Sequence, residues 1–158
     1  MYLHLNYMKR ILLVILTLFT IVAKAQEVNL ENKYGKTLFY IEDNKIRKNN
    51  RYGEILFYKD GNKIRKNGKY GNLIFYVNGN KVLKGNQYGP ISFYFDNRII
   101  RENGKYGEPL YYIDDNTLRA NSYLGRRLYY FSNAPKKWAI ICLINMDIND
   151  KASIEQKR

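Results

Sequence analysis

Tyrosine recurs every eighteen residues through most of this 158-residue sequence, at Tyr40, Tyr58, Tyr76, Tyr94, Tyr112 and Tyr130. The same interval places Arg47, Arg65, Arg101 and Arg119 beside them, with Lys45, Lys63 and Lys81. A tyrosine ring stacks on the apolar face of a sugar and hydrogen-bonds through its hydroxyl. Guanidinium and ammonium groups attract phosphate and carboxylate. Tyr40, Tyr58, Tyr76, Tyr94 and Tyr112, with those four arginines and three lysines, are therefore the candidate polymer-binding residues. A second column, Tyr34, Tyr52, Tyr70, Tyr88 and Tyr106, runs beside them.

Other chemistry is scarce. The single histidine is His4, in a segment expected to be removed, and the single cysteine is Cys142, in an apolar run where it reads as a small buried hydrophobe. One cysteine excludes an intramolecular disulfide and a cysteine-based zinc site. The acids fall mostly in turns, as Glu42, Asp60, Asp96 and Asp114. Spread around a repeat, they do not form the single positioned pair that acid–base catalysis needs. The expectation is no catalytic residue, no cofactor and no metal. Calcium-loaded β-rolls share the period, but one column of acids is too few oxygens for six to eight ligands.

Five uninterrupted blocks carry these residues: NKYGKTLFYIEDNKIRKN from Asn32, then units from Asn50, Gly68, Asn86 and Gly104, with a degenerate sixth from about Ser122. A fixed period over this length signals a repeat architecture. Within a unit, Ile55–Lys59 and Asn62–Lys66 read as strands joined at Asp60-Gly61, a dipeptide suited to a two-residue type I′ turn. Turn signals about every eight residues exclude helix. The surplus residues of the longer strand hold glycine at one column, Gly35 to Gly125, which predicts a bulge or corner there. Alternation puts Phe39, Phe57, Phe75 and Phe93 with Ile46, Ile64 and Ile100 on a core face, and the tyrosines and cations on the other. A true bulge at the glycine would reverse parity and send the Tyr34 column inward. The expected fold is all-β, tandem hairpins in a curled antiparallel sheet, as a β-solenoid or a closed roll. A short C-terminal capping helix over residues 135–146 completes it, with a final strand as the alternative.

Units such as LFYKDGNKIRKNGKYG resemble the β-hairpin repeats of choline- and glucan-binding cell-wall modules, over residues 32 to 133. Tyrosine stands where those modules use tryptophan, so the resemblance implies polymer adhesion more than choline recognition. Upstream, Met8-Lys9-Arg10, the apolar run Ile11–Val22 and Ala23-Lys24-Ala25 have the layout of a secretory signal peptide, too short to span a membrane, with Met1 or Met8 as start. Its removal leaves 24 basic and 14 acidic residues, a net charge of +10, which favours polyanions. The expected organisation is a leader over 1–25, a linker over 26–31, the repeat domain over 32–133, and a cap with a polar tail over 134–158. The expected function is non-catalytic adhesion to cell-wall or surface polysaccharide, or another anionic polymer, in the periplasm or outside the cell. Nucleic acid is disfavoured, and no transmembrane span remains after leader removal. The alternative is a structural or protein-interaction repeat with no specific ligand.

Overall fold

The computed structural model describes residues 25–155, with side chains to Asn149. The expected leader, up to Lys24, and the choice of start lie outside the described residues.

Each hairpin pairs a six-residue strand with a four-residue one. They are β2 Thr37–Glu42 with β3 Lys45–Lys48, β4 Ile55–Asp60 with β5 Lys63–Lys66, and β6 Leu73–Asn78 with β7 Lys81–Lys84. Then follow β8 Ile91–Asp96 with β9 Ile99–Glu102, and β10 Pro109–Asp114 with β11 Thr117–Ala120. The turn centres lie one residue later than the sequence suggested. Asp60 pairs with Lys63, and Gly61 between them takes a positive φ of 56°. Aspartate or asparagine fills this place in other hairpins, as Asp43, Asn97 and Asp115, the residues that best tolerate it after glycine.

The sixth hairpin is made from both ends of the chain. Residues 26–30, expected as linker, form β1 Gln26–Leu30, which pairs with β12 Arg127–Phe131 and with β2. Val28 lies opposite Phe131 as Ile46 lies opposite Ile41, so β1 stands where each other unit has its short strand. Gln26 Nε2 donates to the Asn133 carbonyl at 2.6 Å, fastening the seam. The twelve strands close into a barrel of neighbouring antiparallel pairs. This corrects the solenoid: a solenoid advances along an axis, whereas here the sheet returns to its own first strand and leaves no unpaired edge.

The bulge is real but sits elsewhere. Between each short strand and the next long one the register skips a residue: Ile46 faces Phe57 and Arg47 faces Ile55, passing over Leu56. The same skip recurs at Leu38, Ile74, Ser92, Leu110 and Leu128. Six evenly spaced bulges raise the local twist and curl the sheet. The glycine column belongs to the loops.

With strands about 4.8 Å apart and tilted about 40°, twelve strands enclose a cylinder about 24 Å across, which one layer of inward side chains cannot fill. The gap takes a helix. Helix α1, Lys137–Glu155, follows β12, and Trp138 to Ile144 are each at most 6% exposed. They form one cluster with Phe39, Phe57, Phe75, Phe93, Tyr111 and Tyr129. Seven consecutive buried residues leave this stretch of the helix no solvent face, so it plugs the barrel and is not a lid over an open end, and exposure returns at Ile148. The final-strand alternative is excluded, and the expected polar tail from Asp147 continues the helix. Polar contacts set its rotation. Lys137 Nζ donates to Asn80 Oδ1 at 2.8 Å at one end, and the Tyr111 hydroxyl donates to Asp147 Oδ2 at 3.1 Å at the other. Among the described residues no helix is long and apolar enough to cross a membrane.

Candidate functional site

The loops that follow the short strands carry the most exposed chemistry. Each is braced from within. Asn32, Asn50 and Asn86 accept the backbone N–H of Tyr34, Tyr52 and Tyr88 on their side-chain oxygens, each at 2.9 Å. The following glycine is forced by space: a Cβ on Gly53 would lie 1.8 Å from the Lys48 carbonyl oxygen, and on Gly71 1.5 Å from that of Lys66. A guanidinium from the short strand then holds the loop against the outer wall. Nη1 of Arg47, Arg65, Arg101 and Arg119 donates to the carbonyl of Gly53, Gly71, Gly107 and Gly125 at 3.0 to 3.2 Å. In the split unit Asn29 takes the arginine position and donates to the Lys33 carbonyl at 3.0 Å.

These loops hold Tyr34, Tyr52, Tyr70, Tyr88 and Tyr106 between 88% and 93% exposed, with Leu124 at the sixth position. The column does not move into the core, because the parity change occurs four residues after each tyrosine, at the bulge. Lys33, Lys69 and Lys105 place their ammonium groups 5.6 to 5.8 Å from the adjacent tyrosine ring, and Arg51 lies 6.0 Å from Tyr52. The arrangement is a band of exposed aromatic tips, four of them with a cation beside the ring.

The residues singled out by type and spacing divide into two groups. Tyr40, Tyr58, Tyr76, Tyr94 and Tyr112 lie half-buried on the outer wall as a belt. Each of the middle three stands between a lysine of the preceding unit and the Arg-column residue of its own. Tyr58 lies between Lys45 and Arg65, Tyr76 between Lys63 and Leu83, and Tyr94 between Lys81 and Arg101. Lys63 and Lys81 are exposed and Lys45 is half-buried. Arg47, Arg65, Arg101 and Arg119 are committed to the loops and, in part, to the hairpin acids. Arg101 Nε meets Asp96 at 3.1 Å, and Arg119 Nη2 meets Asp114 at 2.9 Å. What position and composition missed was that the outermost tyrosines are the second column; the clue was the obligatory glycine after each, which marks a loop.

At the seam the wall opens into a groove of about 810 Å³. Tyr130 and Arg127 of β12 lie in it, flanked on one side by the loop Glu31–Tyr34 and on the other by the turn Asp114–Thr117. Asp114 is held below the usual carboxylate range, first by its hydrogen bonds from Arg119 and then by that from the Tyr123 hydroxyl. Asp115 meets Arg98 at 3.4 Å. No group of three or more histidine, cysteine or acidic side chains among the described residues is arranged to hold a metal ion.

The family profile of the 6-fold beta flower protein matches residues 29–135, from β1 to just past β12. The chain belongs to the 6-fold beta flower family. The match covers about two thirds of the sequence and stops before α1, so the flower is the barrel of six hairpins. No curated protein and no solved structure matches the chain. No cell-wall-binding family is among the matches, and the resemblance to such modules narrows to a small all-β repeat family.

Proposed function

We propose that this beta flower protein is an exported, non-catalytic adhesion module that holds anionic cell-envelope polymers through its band of loop tyrosines and the cations beside them. The observation that carries this reading is the column from Tyr34 to Tyr106, nearly fully exposed on loops that cannot collapse. Its neighbours vary between units: the preceding position is Lys, Arg, Lys, Gln and Lys, and the position after the glycine is Lys, Glu, Asn, Pro and Glu. Tyrosine stays in five of the six units, with Leu124 in the sixth, although no packing requires it. Repetition around a barrel presents many weak sites to one polymer, and linked weak contacts add as avidity. The net charge of +10 that remains once the expected leader is removed supplies attraction to a polyanion.

Retention on immobilised polygalacturonate, with neutral amylose as control, tests the reading. The combined replacement of Tyr52, Tyr70, Tyr88 and Tyr106 by Ser is expected to leave the melting temperature nearly unchanged and weaken retention at least tenfold. Unchanged retention overturns it. Added salt should weaken binding, since exposed charges are screened beyond about 8 Å at physiological ionic strength. The competing reading, a structural or protein-interaction module, draws support from the arginines, whose Nη1 groups serve the loops. Charge reversal at Arg65 or Arg101 would therefore report on the fold more than on binding.

A further inference from the structure

The six units are near copies, but the seam groove departs from all the others at two places and, at a third where one unit has Ile99, from the three that carry lysine. At the first loop position the other units have Asn49, Asn67, Gly85, Asn103 and Asn121; the seam has Glu31, at φ 60°. Asparagine and glycine accept that backbone readily, and glutamate does so only with strain. At the start of the long strand the other units have Thr37, Ile55, Leu73, Ile91 and Pro109; the seam has Arg127, which is exposed. At the start of the short strand three units have Lys45, Lys63 and Lys81, where this groove has Thr117.

We infer that the seam groove is a distinct subsite for an acidic sugar residue of the polymer, an inference that rests on the polymer-binding reading above. The charges have room for such a ligand. Asp114 is occupied by Arg119 and Asp115 is met by Arg98, whereas no ion pair engages Arg127 or Glu31 among the described residues. Arg127, with Lys33 across the groove, matches a sugar carboxylate, because a guanidinium fork recognises that group in two hydrogen bonds. Glu31 and Asn116 offer oxygens to sugar hydroxyls, and the rings of Tyr130 and Tyr34 offer apolar faces. The volume, about 810 Å³, falls within the range of small-molecule sites, about 300–1,000 Å³. Strain at Glu31 then has a reason: a carboxylate stands in the groove where asparagine would suit the backbone better.

The test titrates the protein with trigalacturonate and with neutral maltotriose, in wild type and in the variants Glu31→Asn and Arg127→Leu. Both replacements restore residue types that other units carry at the same position, so the barrel is retained. Trigalacturonate should bind at least tenfold more tightly than maltotriose, and each variant should weaken it at least fivefold. Glu31→Asn should also melt at a higher temperature, a pairing of lost binding with gained stability that a merely structural residue would not show. Wild-type affinity in both variants overturns the subsite, as does equal affinity for the two trisaccharides. Release of new reducing ends would overturn it as a binding site, because the groove would then be hydrolytic. The two readings separate through the four-tyrosine variant. Loss of polymer retention with unchanged trisaccharide affinity supports a distinct subsite. Polymer retention with no trisaccharide binding removes the subsite and leaves the broader reading standing.

Discussion

Glycine does two different jobs here, and substitution separates them. Gly53 is needed because a Cβ would collide with the Lys48 carbonyl oxygen, while Gly61 at φ 56° faces open space. Gly53→Ala should therefore destabilise by more than about 2 kcal/mol, the range of core-scale strain. Gly61→Asn, which copies Asn97, should change stability by less than about 1 kcal/mol in the same urea titration. Charge is tested at Arg119. Its hydrogen bonds depress the Asp114 pKa below its ordinary value of 3.8. A depressed folded-state pKa stabilises the fold above the unfolded value and loses that contribution as pH falls through the folded one. Arg119→Met should thus be less stable at pH 6 and lose less on acidification below pH 4, measured by melting temperature against pH. At the alkaline end, burial first and then Asp147 push the Tyr111 hydroxyl well above its usual pKa of 10.0. The stability tied to its proton is complete below pH 10 and fades as pH climbs towards the folded-state value.

The hairpins were legible in the sequence because their determinants are local. Alternation set Phe57 inward and Tyr58 outward, and turn residues marked every reversal. The choice between a solenoid and a closed roll was not legible, because it depends on the summed twist of six units and on β1, whose short run Val28-Asn29-Leu30 carries too little pattern to be read as a strand. The bulge was assigned to glycine, although the residue that breaks register is the ordinary leucine or isoleucine three places later. The candidate site was half legible: the tyrosine columns were found, but their depths depend on loops that fold back over the wall. For α1 a helix over residues 135–146 was read, yet the unbroken run Ala139–Ile144 also meant burial on every side. Cys142 reports on that enclosure. Burial raises its thiol pKa far above the ordinary value, which suppresses the reactive thiolate. Disulfide-exchange reagents should leave Cys142 unmodified in the native protein and label it fully in denaturant. Rapid labelling under native conditions would place the helix outside the barrel.

At the scale of the molecule, the seam is the one place where the ring is held only by hydrogen bonds and packing. Every other pair of neighbouring strands is joined by a short connection, while β1 and β12 meet from opposite ends of the repeat region. Deleting residues 26–31 should expose two raw edges and produce a protein that self-associates, seen as larger species by sedimentation. A synthetic peptide of residues 25–33, added in excess, should return it to the monomeric form by supplying the missing strand. Persistence of a monomer without the peptide would show that the other eleven strands close alone.

The enclosed helix dictates an order of events. It follows β12, the strand that must meet β1 to close the ring, so β1 can pair with β2 early but keeps its other edge open until β12 has been made. Folding during synthesis can therefore build the hairpins in order from β1 and β2 but cannot close the ring early. The clasp shuts only after β12 has been delivered, with the slow kinetics that long-range pairing brings.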